Sequence, residues 1–274
     1  MSRTAVVTGA TDGIGKETAF ELAKRGFRVL VHGRNEAKAE AAAKEIASRV
    51  KDARVEPVYG NLGSLAEVRA LAAQISEKAP SLDVLVNNAG VFAKERSLTV
   101  DGFELSMGVN HFAPFLLSLL VLPAMRAPGD ARIVNVSSVA HNRGRIPFDD
   151  LTFERSFDGY AAYAASKLAN VLFTHALARR LVGTSITTNA LHPGVITTKL
   201  LKTGFGVDGA SLEQGAATSV KLASDPSLAK TSGKYFSDER EATSSKASHD
   251  QNDEERLWDL SVSLTGAPSL EKLL

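Results

Sequence analysis

Cysteine is absent from the 274 residues. Disulfides, thiolate catalysis and zinc–cysteine centres are thereby excluded, while no compartment is identified. Neither sign of charge is in excess. The 32 Lys and Arg face 31 Asp and Glu, a formal net charge of +1, so no field for nucleic acid or another polyanion is expected. The six histidines show no H-x-x-x-H or related spacing, and no metal site is expected. Long hydrophobic runs are missing too. The most apolar stretch, around Phe115 to Leu122, is shorter than the about 20 residues that a bilayer span needs, so no membrane contact is expected. Met1-Ser2-Arg3-Thr4 is expected to lead straight into a strand, leaving no room for a signal peptide, and the expected location is cytoplasmic.

What is present reads as one soluble domain over residues 1–274, with 44% hydrophobic and 23% charged residues in the ordinary range. A single α/β domain of this length buries roughly 75% of its unfolded surface. Strands are expected at Thr4 to Thr8, Arg28 to His32, Val55 to Tyr59, Asp83 to Val86, Arg132 to Val136 and Ile186 to Leu191, alternating with helices such as Ile14 to Arg25 and Glu36 to Val50. Ser64-Leu65-Ala66-Glu67 and Ser211-Leu212-Glu213-Gln214 read as capping boxes that open helices. This βαβα rhythm predicts a doubly wound parallel sheet with helices on both faces. Ligands of such sheets bind at the carboxyl ends of the strands, where the motifs fall.

The first turn is Thr8-Gly9-Ala10-Thr11-Asp12-Gly13-Ile14-Gly15. Its glycines permit a tight turn, close approach to a pyrophosphate and tight helix–strand packing, and the helix N-terminus offers amides to phosphate oxygens. A plain glycine turn is the simpler reading, and the place after the first strand favours a dinucleotide site. Strand two ends in Val31-His32-Gly33-Arg34-Asn35. An acidic residue there would hold the ribose of NAD; Arg34 instead suits the 2′-phosphate of NADP, or else is a solvated helix-start arginine. Asp12 argues the other way, because a carboxylate repels that phosphate. NADP is expected ahead of NAD. Gly60-Asn61-Leu62 and Asn87-Asn88-Ala89-Gly90 suit polar turns that face a ligand, although turns carry such residues without function.

Pro114 follows Val109-Asn110-His111-Phe112-Ala113 in an apolar helical pattern. It has no amide hydrogen for the Asn110 carbonyl four residues back, so that carbonyl is expected to meet either a water or a helix end. Val136-Ser137-Ser138 ends a strand in two hydroxyls. Either can bond a substrate oxygen, and without a nearby histidine or G-x-S-x-G neither is a triad nucleophile. In Tyr160-Ala-Ala-Tyr163-Ala-Ala-Ser166-Lys167, Tyr163 and Lys167 stand one helical turn apart on one face. A nearby ammonium lowers a phenol's pKa from about 10, which makes the pair a tuned acid and base for an alcohol or carbonyl.

Together, and in this order, these motifs resemble the short-chain dehydrogenase/reductase family from about Thr4 to Tyr235. The resemblance implies a single-domain, Rossmann-like α/β fold. It also implies a catalytic tetrad of Asn110, Ser138, Tyr163 and Lys167. Cofactor contacts would come from Gly9, Thr11, Asp12, Gly13, Ile14 and Gly15, then from Arg34, Asn61, Leu62, Asn88, Ala89 and Gly90, and from Tyr163 and Lys167. The stretch His192-Pro193-Gly194-Val195-Ile196-Thr197-Thr198 resembles the family's nicotinamide segment. It implies contacts from Pro193, Gly194, Val195, Ile196 and Thr198, with the Val195 or Ile196 backbone on the carboxamide. Two residues depart from the family pattern: Asn61 stands where many members have Asp, and Asp12 replaces a basic residue common in NADP-preferring members. A long segment after Ser138, opening Val139-Ala140-His141, and the run Ser166-Lys167-Leu168-Ala169-Asn170 are most similar to the retinol-dehydrogenase-like branch. That branch implies NADPH-linked reduction of aldehydes and ketones, often lipophilic ones. The membrane anchor common in its animal members is expected to be absent.

The expected reaction is hydride transfer between nicotinamide and a partly hydrophobic alcohol or carbonyl compound. Tyr163 would move the proton, Lys167 would lower its pKa and hold the ribose, Ser138 would bond the carbonyl oxygen, and an Asn110-bound water would link Lys167 to solvent. A substrate loop is expected over about 139–160, with Ile146, Phe148, Leu151, Phe153 and Phe157 facing either the ligand or a core of their own. A lid is expected over about 199–210, with Leu200, Leu201 and Phe205 on an apolar ligand. The run Asp250 to Arg256 reads as a solvated helix face. The tyrosine-bearing helix is apolar on more than one side, one for the sheet and another for a second subunit; the family it resembles often uses this helix as a dimer interface, which implies a homodimer or homotetramer. The competing readings are a catalytically silent NAD(P)-binding sensor or scaffold, and an isomerase, epimerase or dehydratase using the cofactor transiently.

Overall fold

The computed structural model describes residues 2–127, 129–206 and 208–273, without the side chains of Thr203 and Phe205. The expected ligand contact of Phe205 and the Val207 part of the lid therefore lie outside the described residues. β1 (Thr4–Val7) is buried at every position, as a central parallel strand covered on both faces must be. It leads into α1 (Gly13–Lys24), β2 (Arg28–Gly33), α2 (Glu36–Arg49), β3 (Val55–Tyr59), α3 (Leu65–Lys78) and β4 (Val84–Asn87). A helical segment then joins one α-turn, α4 (Leu105–Met107), a π-turn (Gly108–Phe112) and α5 (Ala113–Met125). The remaining order is β5 (Ala131–Val136), α6 (Gly159–Arg180), β6 (Ile186–His192), α7 (Lys199–Phe205), α8 (Leu212–Ser224), β7 (Tyr235–Ser237), β8 (Arg240–Ala242) and α9 (Gln251–Thr265).

Among the described residues, one sheet runs β3-β2-β1-β4-β5-β6-β7-β8, parallel except for the β7–β8 edge. β8 was not legible in the sequence, because its three residues are exposed or half-buried and carry no apolar alternation. Successive residues of the inner strands feed opposite faces. Val6, Leu30 and Leu85 pack with α3 and α5 on one face, and Val7, Val31 and Val86 pack with α1, α2 and α8 on the other. The chain winds from β1 out to β3 and resumes on the far side at β4. That reversal opens a crevice at the carboxyl ends of β1 and β4. The second capping box forms in full at Ser211 and Gln214. The first forms by half: Ser64 caps α3, while the Glu67 carboxylate accepts instead from the Asn61 amide at 2.7 Å.

Three expectations change. The helical run Leu105–Met125 is 21 residues long with a mean hydropathy of 1.7, so by length and composition it could cross a bilayer; 89% of its most apolar window is buried within the chain, as a core helix. Within the Asp250 to Arg256 run, Glu254 is 4% exposed and pairs with Arg179 of α6, with His175 Nδ1 3.5 Å away. α9 therefore docks by this face instead of solvating it. Trp258 of α9 meets Phe115 at 5.1 Å and stacks on Phe173 at 6.2 Å between ring centroids, with the Arg180 guanidinium 4.1 Å over its ring. α6 is buried continuously from Ala162 to Leu177 under α9, the π-turn and β6. The apolar face that suggested a second subunit is thus covered by the chain itself, and the expected oligomer loses that support.

Candidate active site

The first turn is stitched to the end of β4. Thr8 N–H donates to Val86 O at 3.0 Å, and the amides of Asn88 and Ala89 donate to Thr8 Oγ1 at 2.9 and 3.0 Å. Asn88 Nδ2 donates to Thr8 O at 2.8 Å. Two glycines are sterically required by this closeness. Gly9 has φ +63°, and a Cβ on it would lie 2.9 Å from Ala89 Cα; a Cβ on Gly15 would collide with Gly9 O and Asn88 Nδ2. Gly15→Ala is therefore expected to cost about 3 kcal/mol of stability by overpacking, read by urea unfolding. It should also weaken dinucleotide binding at least about tenfold, a loss of about 1.4 kcal/mol, read by fluorescence titration.

At the β2 end, His32 is 2% exposed and links three strand ends. Gly9 N–H donates to its Nδ1 at 3.0 Å, and its Nε2–H donates to Gly60 O at 2.9 Å. Arg34 and Lys38 stand exposed on the rim of the cleft. Asp12 caps α1, accepting from Gly13 N–H at 2.9 Å, and its other oxygen pairs with Lys199 Nζ of α7. That ammonium holds the carboxyl below its usual range. The charge that argued against a 2′-phosphate is thus met by a cation. Asn61 Oδ1 accepts from Gly63 N–H at 3.0 Å. Reading the sequence missed His32, Lys38 and Lys199. Lys38 carried a readable signal, one helical turn beyond Arg34; the Asp12–Lys199 pair, remote in sequence, carried none.

The helix start of α6 brings Tyr163 and Lys167, the expected acid–base pair, to the crevice. Lys167 is 3% exposed; its Nζ donates to Val136 O at 3.0 Å and lies 5.6 Å from the Tyr163 ring centroid. A Cβ on Gly90 would lie 3.4 Å from that nitrogen, so Gly90 keeps the floor open. Burial lowers the lysine to about 8. Burial also raises Tyr163 to about 12, against the opposing effect of its hydrogen bond to Ser138. The expected lowering of the phenol is not found in the folded chain: desolvation disfavours each charged form, and for the phenol it outweighs the Ser138 hydrogen bond. Ser137 faces inward, its hydroxyl donating to Lys167 O at 2.7 Å, so Ser138 is the hydroxyl that faces the cleft.

Asn110 lies behind the cleft. Its Oδ1 accepts from Val91 N–H at 2.8 Å, and its Nδ2 donates to Val91 O at 3.0 Å and Ser166 Oγ at 2.9 Å. The backbone there is a π-turn, in which Ala113 N–H reaches Gly108 O, as fits a helix interrupted by Pro114. Every other residue implied by the resemblance lines one cleft of about 730 Å³. In the segment expected to meet the nicotinamide, Val195 O accepts from Ala210 N–H at 2.8 Å. The outer wall is apolar. The Phe92 ring lies 5.6 Å from that of Tyr163, clustered with Ala140, Tyr160 and Leu200, and α7 brings Gly204 against Phe92. The substrate-loop residues Ile146, Phe148, Leu151, Phe153 and Phe157 turn away from the cleft, packing on Met107, Phe112 and α6.

A family model described as short chain dehydrogenase matches residues 3–205. The chain is 43% identical to human (Homo sapiens) retinol dehydrogenase 12 over 270 residues, covering 95% of this chain and 85% of that protein. It is 41% identical to human retinol dehydrogenase 13 over 289 residues, covering 98% and 87%. Among solved structures, an uncharacterized protein from Mycobacterium paratuberculosis superposes with a TM-score of 0.82 at 36% identity, covering 97% and 94% of the two chains. A protein from Beutenbergia cavernae described as an NAD(P)-dependent gluconate 5-dehydrogenase with bound NADP superposes with a TM-score of 0.71 at 31% identity, covering 86% and 94%.

Proposed function

The chain belongs to the short-chain dehydrogenase family and is retinol-dehydrogenase-like, and from that premise we propose an NADP-linked oxidoreductase that interconverts an apolar aldehyde or ketone with its alcohol. The coarser statement, an oxidoreductase of alcohols and carbonyls, follows from the family and its relatives. The observation that carries the finer reading is the convergence of Ser138, Tyr163 and Lys167 at the base of the cleft that the glycine turn opens. The cleft fits the dinucleotide. Gly9 and Gly15 leave a cradle that a Cβ would fill, and Asp12 is neutralised by Lys199. Arg34 and Lys38 present cations at the adenosine end, suited to a 2′-phosphate. Bound NADPH would supply the hydride to the carbonyl carbon.

The chain's own residues supply the rest. The Tyr163 hydroxyl gives its proton to the carbonyl oxygen, and in the reverse direction its phenolate takes the proton of the alcohol. The resulting phenolate is compensated by the Lys167 ammonium beside it. The Ser138 hydroxyl donates to the same carbonyl oxygen as charge builds on it. Asn110 fixes the Val91 backbone beside Lys167, and its carbonyl, denied the Pro114 amide, is the acceptor we assign to a water that reprotonates the pair. Tyr160, Leu200 and Leu201, which line the cleft, favour an apolar substrate, and the names of the relatives suggest retinal as the first compound to try. A pure sensor has no use for a buried ammonium beside a phenol, which weighs against that alternative.

Cofactor choice is tested with one variant. Arg34→Ala is expected to raise the KM for NADPH about 20-fold, as loss of a charged hydrogen bond does, and to leave the KM for NADH within about twofold because NADH has no 2′-phosphate to lose. Equal losses with both cofactors would remove Arg34 from the 2′-phosphate.

A further inference from the structure

The motif Val139-Ala140-His141 marks the retinol-dehydrogenase-like branch, yet the proposed chemistry uses no histidine. His141 sits in the short 3₁₀ turn Val139–Arg143 that follows Ser138 and is 1% exposed. Its Nδ1 lies 2.6 Å from the carbonyl oxygen of Ser138. A carbonyl only accepts, so Nδ1 carries the hydrogen. On the opposite side of the ring, the Ser245 N–H donates to Nε2 at 3.0 Å, so Nε2 carries none. One neutral tautomer satisfies both contacts, and neither the other tautomer nor the imidazolium does. The ring packs on Tyr235 of β7, 4.8 Å between centroids. Burial holds the imidazole below its usual range, and His175 of α6 adds to this; His192 of β6 and the packed Tyr235 are further titratable neighbours. Ser245 lies beyond the residues that the family model matches.

We propose that His141 is a positioning residue for Ser138: the Ser245 amide locks the imidazole tautomer, and the imidazole in turn anchors the Ser138 carbonyl so that its hydroxyl meets Tyr163 and the substrate oxygen. The inference rests on the reading of Ser138 given above. It makes the C-terminal segment part of the catalytic geometry. Ser138 is anchored at both ends. Its carbonyl is held by His141, and its Oγ accepts from Ala140 N–H at 3.2 Å and is bonded to Tyr163.

Two substitutions separate positioning from packing. His141→Asn keeps an N–H donor near the Nδ1 position, whereas His141→Gln keeps an acceptor within reach of Ser245 and loses the short donor to Ser138. We expect kcat within about threefold of wild type for the first and about 30-fold lower for the second, as a displaced catalytic group costs. NADPH affinity should stay within about twofold in both, because neither substitution touches the glycine turn. Wild-type kcat in His141→Gln, or equal losses in the two variants, overturns the proposal. Ser245 offers the same test without altering the ring. Its φ of −60° suits proline, so Ser245→Pro removes the N–H along with the hydroxyl and should lower kcat, while Ser245→Ala, which removes the hydroxyl alone, should not; unchanged turnover in Ser245→Pro overturns the proposal. Imidazole ¹⁵N shifts of the wild-type protein read the tautomer independently of activity. A protonated Nδ1 with a bare Nε2 supports the proposal, and a protonated Nε2 overturns it. A wild-type protein that reduces no carbonyl contradicts the functional reading instead, and the shifts then decide His141 alone.

Discussion

Tyr163→Phe is expected to lower kcat for NADPH-linked carbonyl reduction at least about 1000-fold, the scale of a lost general acid. The phenol lines the cleft, 6% exposed and hydrogen-bonded to Ser138. Its pKa of about 12 keeps it protonated across the working range, which suits a proton donor for reduction. The phenolate that forms is the costly state, and the Lys167 ammonium, 5.6 Å from the ring, is the compensating charge. Because the substitution removes one oxygen and leaves the ring against Phe92, NADPH affinity and the melting temperature should change little. Parallel loss of cofactor affinity would show a folding defect in place of lost acid catalysis.

Lys167→Met is expected to abolish turnover and to make the protein more stable. The lysine is 3% exposed, and burial lowers it from 10.5 to about 8. Below pH 8 both folded and unfolded chains carry the charge, so the folded state bears the full desolvation cost, on the order of 3 kcal/mol. Between pH 8 and 10.5 the unfolded chain binds more protons than the folded one, so this group's contribution makes stability rise with pH across that window. Methionine removes the cost while filling similar space. Val136 O keeps a contact from Asn170 Nδ2 at 3.4 Å. A gain of roughly 6 °C in melting temperature at pH 7 is expected, with the pH-dependent rise lost. A variant that melts lower than wild type would show that the ammonium is a net support of the fold.

The parts that local chemistry decides were legible in the sequence. Helix geometry alone places Tyr163 and Lys167 on one face, and the glycine turn after β1 marks the crevice because no side chain fits where Gly9 and Gly15 approach Ala89 and Asn88. The parts decided by distant packing were not. Glu254 looks solvated in a charged run, and only the arrival of Arg179 makes its burial tolerable. Phe148, Phe153 and Phe157 have the composition of a substrate loop, yet Met107, Phe112 and α6 offer them a nearer apolar surface. The spacing of Tyr163 and Lys167 says that they meet; it says nothing of how deeply, and depth sets the direction of both pKa shifts. Asp12 argued against NADP in isolation, and its meaning changes once Lys199 pairs with it.

The decisive measurement is isotope transfer with NADPH deuterated at the nicotinamide C4 position, run with retinal and a panel of apolar aldehydes and ketones, with products analysed by mass spectrometry. The wild-type protein should deliver one deuterium to the carbinol carbon of the product alcohol, and Tyr163→Phe should deliver almost none in the same time. Tight NADPH binding without deuterium in any product, or transfer undiminished in Tyr163→Phe, would contradict hydride transfer governed by Ser138, Tyr163 and Lys167.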